Sequence, residues 1–128
     1  MSERCALIVP GDPAQLTGGY LYNAQIASGL SDLGWQIEVC GLAGRFPFAD
    51  SAARSALDGC LAAQADGRCV IIDGLALGGL PDVAARHAHR LRLVALIHHP
   101  LCDETGLDDA DRAWLFASEQ GALAACRR

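Results

Sequence analysis

The sequence predicts a doubly wound α/β fold, in which helices cover both faces of a parallel β-sheet. Short apolar runs alternate along the 128 residues with segments of helical period, in the order βαβαβαβα. The run at residues 69–72 is apolar throughout, which is typical of a strand buried on both faces of a parallel sheet. Glycine, proline and acidic residues punctuate the connections.

The strands and helices are predicted from the spacing of apolar residues and from residues that typically begin or end a helix. We expect strands at 5–9, 35–40, 69–72 and 91–97, and helices at 20–33, 51 to about 65, 81 to about 90, and 108 to the last residues. The helix signals are Gly34 after the first helix, Asp50 or Ser51 as cap of the second and Gly67 at its end, Pro81 at the start of the third and Asp108 as cap of the fourth. Residues 41–50 and 75–80 are predicted as loops.

Polar and glycine residues follow three of the predicted strands. Gly18-Gly19, Asp73-Gly74 and His98-His99 are far apart in sequence, but each comes after the carboxyl end of a strand. In a Rossmann-like sheet with right-handed crossovers, the carboxyl ends of the strands lie on the same side of the sheet, and ligands bind there. The sequence therefore predicts a site on this side of the sheet.

Gly18 and Gly19 precede the first helical segment. Paired glycines leave backbone N–H groups uncovered, and the positive end of a helix dipole adds to them, so the loop is a candidate cradle for a phosphate or diphosphate. The alternative is a tight strand-to-helix turn without a ligand. The loop lacks GxGxxG, so the dinucleotide fingerprint is absent, and a chain without lysine has no Walker A motif.

The histidines and acidic residues offer further candidates. His98 and His99 come at the end of the fourth strand, where adjacent residues point to opposite faces, which argues against joint binding of one metal ion. The alternative is two histidines that are hydrogen-bonded locally and have no ligand. Either ring could donate to a ligand or serve as acid or base. Asp73 is interpreted either as a contact to a substrate hydroxyl or as the cap of the next turn.

The remaining polar candidates are weaker. Glu104 and Glu119 are plausible polar contacts, although Glu119 equally fits a solvated helix position. His87 and His89 are two residues apart on a predicted helix, hence on different faces, so no metal site is expected there.

Composition narrows the class of protein. The net charge is −5 and all ten cationic residues are arginines without a cluster, which disfavours nucleic-acid binding. Six cysteines without a CxxC pair predict reduced thiols in a cytoplasmic protein. No signal peptide and no run of about 18 apolar residues is present, although peripheral membrane contact stays open.

Several segments together resemble the N-terminal domain of family-four-type retaining glycosyltransferases, which are two-domain GT-B enzymes. The resemblance spans nearly the whole chain in order and rests on Gly18-Gly19-Tyr20-x-Tyr22-Asn23, Leu30-x-x-Leu33-Gly34-Trp35-x-Ile37-x-Val39, Ile71-Ile72-Asp73-Gly74-Leu75-Ala76-Leu77-Gly78, Leu96-Ile97-His98-His99-Pro100-Leu101, Glu104-Thr105-Gly106-Leu107 and Ser118-Glu119-x-x-Ala122-Leu123-x-x-Cys126.

The resemblance implies transfer of a sugar, with retention, from a nucleotide sugar to an acceptor hydroxyl, without a metal ion or other cofactor. It places Gly18 and Gly19 at the donor diphosphate and His98 near the transferring sugar as the catalytic residue. His99 is the less favoured match for that histidine. The residues implied at the substrate or diphosphate are Gly18, Gly19, Tyr20, Asn23, Asp73, Gly74, His99 and Glu104.

The chain departs from the family because residues 1–128 hold no C-terminal, donor-binding domain and no final strands of the N-terminal domain. We therefore expect an incomplete acceptor-side domain that is inactive by itself, with the fourth strand as an exposed edge open to self-association. The rival interpretation is a non-catalytic binding or assembly module. A nicotinamide-dependent oxidoreductase is poorly supported, because the first loop lacks the fingerprint.

Overall fold

A computed structural model describes residues 3–12 and 18–126, with the backbone alone for residues 18–20. Four strands alternate with five α-helices and one 3-10 turn. The strands are β1 (Arg4–Pro10), β2 (Gln36–Leu42), β3 (Cys69–Asp73) and β4 (Arg92–Leu96). The helices are α1 (Gly18–Asp32), α2 (Ser51–Ala62), α3 (Gly74–Leu77), α4 (Pro81–His87) and α5 (Asp109–Ala124), and the 3-10 turn is Leu101–Asp103.

The strands form one sheet in the order β2-β1-β3-β4, and all three pairings are parallel. Pro10 pairs with Leu42 and Asp73 pairs with Leu96, so the carboxyl ends of the four strands lie together at one end of the sheet, called the carboxyl edge below. The predicted doubly wound, Rossmann-like α/β fold is confirmed, and β4 lies at the edge of the described sheet as expected.

The core lies between the central strands and the helices packed on them. Cys5 to Pro10 of β1 are all buried. On one face of the sheet, Ile8 and Ile72 pack in a cluster with Leu57 and Leu61 of α2 and Val83 of α4. Because the central strands are fixed from both sides in this way, the loops at their carboxyl ends start from rigid positions.

Two helices end earlier than the sequence predicts. α2 stops at Ala62 and α4 at His87, before the expected residues 65 and 90. The guanidinium of Arg90 donates to the carbonyl oxygens of Leu61 and Gln64, both at 2.7 Å. Arg90 therefore binds the turn that ends α2, where the carbonyl of Leu61 also accepts a hydrogen bond from the N–H of Gln64.

The prediction of a loop throughout residues 75–80 is wrong, because α3 forms at its beginning. The side chain of Asp73 accepts a hydrogen bond from the backbone N–H of Leu75 at 2.9 Å and so caps this short helix. No helix in the described part of the chain is long and apolar enough to cross a membrane. All six cysteines are free thiols.

Candidate functional site

Asp73 is the centre of a buried polar cluster at the carboxyl edge of the sheet. The residue is 5% exposed. One carboxylate oxygen, Oδ1, caps α3, while Oδ2 accepts a hydrogen bond from Nδ2 of Asn23 at 2.8 Å and lies 3.2 Å from Nε2 of His98. Asp73 is thus the cap that the sequence allowed, and it also holds two other candidate residues in place.

His98 is fixed from two directions. Its Nε2 faces the Asp73 carboxylate, and its ring meets the ring of Tyr22 edge-to-face, with centroids 5.4 Å apart and planes at 88°. A carboxylate only accepts hydrogen bonds, so Nε2 carries a hydrogen and Nδ1 is the nitrogen left to accept or bind a proton. The side chain is 27% exposed, so this oriented imidazole is accessible to a ligand.

β4 ends at Leu96, so strand alternation does not set the directions of His98 and His99, which lie in the bend after it. His99 faces a different carboxylate from His98. Its Nε2 lies 2.7 Å from Oε2 of Glu104, and both side chains are about half exposed, at 54% and 55%. The two adjacent histidines therefore have separate carboxylate partners. Within residues 3–12 and 18–126 no group of three or more His, Cys, Asp or Glu side chains is placed to hold a metal ion.

The first turns of α1 lie at the same end of the sheet, because Asn23 of α1 is hydrogen-bonded to Asp73. The backbone of this helix begins at Gly18 and includes Gly19 and Tyr20, while residues 13–17 of the predicted glycine-bearing loop lie outside the described residues. Asn23, in the second turn, is 4% exposed, and within the described residues its Oδ1 accepts no hydrogen bond. Because Asn23 binds Asp73, the start of α1 is tied to the ends of β3 and β4.

A cavity of about 570 Å³ opens beside these groups. Asp73, Gly74, His98, His99 and Glu104 all contribute to its lining, so the structure brings five of the predicted site residues around one space. The other walls are apolar and come from Pro10, Phe46, Pro47, Phe48, Leu75, Leu101, Leu107 and Leu115. A neighbouring hollow shares several of these walls and is lined also by Gly11 and the exposed Arg45.

The walls contributed by residues 46–48 were not predicted from the sequence. This segment was interpreted only as a loop, although it follows β2 and therefore lies at the ligand-binding edge of a parallel sheet. Its position depends on Gly79, where an added Cβ would overlap the carbonyl oxygen of Pro47. The aromatic side chain of Phe48 stacks on Trp114 of α5, with centroids 5.6 Å apart.

Glu119 supports the cavity from behind and is not the solvated residue that the sequence equally allowed. It is 8% exposed, and its Oε1 accepts a hydrogen bond from the backbone N–H of Leu101 at 3.3 Å. Its Oε2 has no hydrogen-bond partner among the described residues. Burial raises the pKa of this carboxyl, because removal from water disfavours the charged form.

The histidine of α4 is buried and has a structural role. His87 lies against α2 with its Nε2 2.7 Å from Oδ1 of Asp58, and Arg86 contacts the same carboxylate at 3.0 Å. The hydrogen bond from His87 is the main reason that the pKa of Asp58 is lowered. His89 is exposed and lies beyond the end of α4 at His87, so the prediction that both histidines are on one helix is wrong.

Compared with models of known protein families, the chain matches none, and a search of curated proteins finds no matching relative.

Proposed function

We propose that this chain is the acceptor-side domain of a retaining GT-B glycosyltransferase, which moves a sugar from a nucleotide sugar to an acceptor hydroxyl. The observation that carries the proposal is the placement of His98, which is oriented by Asp73 and Tyr22, exposed to a cavity, and joined through Asn23 to the start of α1. This arrangement supplies a polar contact to a sugar next to a helix N-terminus.

His98 would act on the sugar side. With Nε2–H directed to Asp73, its Nδ1 can accept a hydrogen bond from a sugar hydroxyl, or donate one when the ring is protonated. The Tyr22 ring limits rotation of the imidazole, so the contact is formed without further loss of side-chain freedom. Asp73 acts as a positioning residue, because donors from within the chain already occupy both of its oxygens.

Gly18 and Gly19 would act on the diphosphate side. Their backbone begins a helix of 15 residues, and the N–H groups of a first helical turn have no acceptor within the helix. When the sugar–phosphate bond breaks, negative charge grows on the diphosphate, and donors at a helix N-terminus stabilise it. The proposal also needs a donor-binding domain, attached to this chain or supplied by another, and requires no metal ion.

A nuclear magnetic resonance titration tests this placement. The isotope-labelled chain is titrated with uridine, guanosine and adenosine diphosphate sugars at millimolar concentration, and with the corresponding monophosphates as controls. We expect shifts at the amides of Gly18 and Gly19 and at the His98 ring with at least one diphosphate sugar. Shifts with none of them, or equal shifts with the monophosphate, would overturn the placement of the donor at Gly18, Gly19 and His98.

A second candidate function, an assembly module without catalysis, is favoured by one observation. β4 has β3 as its one neighbour in the described sheet, and Ile97 just beyond it is 37% exposed. An edge of this kind can pair with another chain. Sedimentation tests this function. Self-association that is lost in Ile97→Lys and kept in Leu33→Lys, a control at a 78% exposed position, would support it, provided that no nucleotide sugar binds.

A further inference from the structure

The cavity at the carboxyl ends of the strands has apolar and polar lining residues. The polar ones, Asp73, His98, His99 and Glu104, are called the polar mouth, and the apolar ones the apolar interior. The volume of the cavity, about 570 Å³, lies in the usual range for sites of small molecules, about 300–1,000 Å³. Phe46, Pro47, Phe48, Leu107 and Leu115 are among its apolar lining residues. The apolar part of a ligand seated here would leave water, at a gain of roughly 25 cal/mol per Å² of buried apolar surface.

The walls are held by contacts that do not involve a ligand. Phe48 stacks on Trp114 of α5, and Gly79 allows Pro47 to approach the end of α3. Ser118, also on α5, donates a hydrogen bond to the carbonyl oxygen of Gly78 at 2.7 Å. The apolar interior is therefore preformed, which lowers the entropy cost of binding.

The polar mouth is acidic. Asp73 and Glu104 bring two carboxylates to the cavity, and each is paired with a histidine rather than with lysine or arginine. A ligand anion would be repelled by both carboxylates, strongly by buried Asp73 and more weakly by half-exposed Glu104, which water screens. A hydroxyl group suits the mouth better, because it can donate to Glu104 or to a histidine nitrogen and also accept.

We propose that this cavity binds an uncharged alcohol with a compact apolar or aromatic body, its hydroxyl group at the histidines. If the proposed function holds, this alcohol is the sugar acceptor. The role as acceptor rests on the proposed function, whereas the binding of the alcohol does not. The apolar body lies against Phe48 and Leu115, and the hydroxyl faces His98 at the point where the sugar arrives. The acidic mouth selects against carboxylate and phosphate acceptors.

Fluorescence titration with three probes of one shape tests the chemical class. The probes are naphthol, naphthoate and naphthylmethylammonium at neutral pH, each added to the whole chain. We expect saturable binding of naphthol, with naphthoate weaker by about tenfold or more, a difference of about 1.4 kcal/mol. Binding of naphthoate or of the ammonium probe as tight as that of naphthol would overturn the uncharged class.

Two variants test the location. Leu75 lines the cavity and is 39% exposed, and Leu123 lies on α5 outside the lining and is 41% exposed, so Leu75→Glu and Leu123→Glu form a matched pair. We expect Leu75→Glu to weaken naphthol binding about tenfold, because it removes an apolar wall and adds a carboxylate. Leu123→Glu should leave the binding within about twofold.

Phe48→Ala is a second cavity variant, at a position 44% exposed, in case Leu75→Glu fails to fold. Equal naphthol binding by wild type and a folded cavity variant would overturn the location. The outcome is independent of the nucleotide-sugar titration. Naphthol binding with no diphosphate-sugar shifts would retain the cavity site and reject the donor placement of the proposed function. The reverse result would reject the cavity site alone.

Discussion

Nε2 of His98 lies 3.2 Å from Oδ2 of Asp73, and the same oxygen accepts a hydrogen bond from Asn23 at 2.8 Å. Residues from α1, β3 and the end of β4 thus meet at a single carboxylate atom. This contact orders the imidazole before any ligand arrives. It also makes the hydrogen position on His98 a measurable consequence of the fold.

Asp73→Asn should change the tautomer of His98. The amide oxygen can still cap α3, but the amide nitrogen would then face Nε2 of His98 and the amide of Asn23. Nε2 must become an acceptor, and Asn23 must turn to present its Oδ1. We expect the Nε2–H form in wild type and the Nδ1–H form in the variant, measured by nitrogen chemical shifts at a pH of about 8.5, where neutral rings are compared. Exposed His89 is the internal control, and an unchanged His98 tautomer would contradict the prediction.

Gly79→Ala should destabilise the chain by about 1–3 kcal/mol, because the added methyl group overlaps the carbonyl oxygen of Pro47 and must displace the wall of the cavity. Gly59→Ala is the control. Gly59 is exposed within α2 and an added Cβ meets nothing within 4 Å, so this change should stabilise by roughly 0.5–1 kcal/mol. Urea unfolding measures both, and equal effects would refute the close approach.

Glu119→Gln should alter the pH dependence of stability. The folded-state pKa of Glu119 is raised above the ordinary value of 4.5, so the folded chain holds this proton more tightly than the unfolded chain. The free energy of unfolding of wild type therefore falls as the pH rises from about 4.5 to the folded-state pKa. The free energy of unfolding of the glutamine variant does not fall in this way, so it rises relative to that of wild type over the same pH range.

Urea unfolding of both proteins between acid and neutral pH measures the difference, with Glu3→Gln at an exposed position as the control. A stability difference between Glu119→Gln and wild type that stays constant with pH would contradict the buried, poorly solvated carboxyl. Glutamine keeps an acceptor for the N–H of Leu101, so the loop contact itself is retained.

The position of the site could be predicted from the sequence because it depends on topology. Once the strands are parallel, Asp73 and His98 must lie at the same edge, whatever the details of packing. The separate carboxylate partners of His98 and His99 did not follow from strand alternation, because β4 ends at Leu96 and both histidines line the same cavity. The role of Asp73 was harder to predict. The sequence allowed either a helix cap or a contact to a substrate hydroxyl, and the structure shows the cap.

The apolar cavity could not be predicted because it depends on contacts between distant segments. Nothing local to residues 46–48 indicates that Pro47 will rest on Gly79 or that Phe48 will stack on Trp114. Glu119 is a similar case: a single glutamate on an amphipathic helix is usually exposed, and its burial follows from the 3-10 turn that begins at Leu101.

The most direct test of glycosyl transfer uses the native protein, isolated with its natural partners through a tag on the gene in its source cells. Transfer or hydrolysis of a panel of nucleotide sugars is measured by mass spectrometry for wild type, His98→Ala and His89→Ala. We predict activity in wild type and in His89→Ala, and a loss of about tenfold or more in His98→Ala, as expected for removal of one strong polar contact. The isolated 128-residue chain should show negligible transfer. Absence of activity with every nucleotide sugar, or full activity in His98→Ala, would contradict the account.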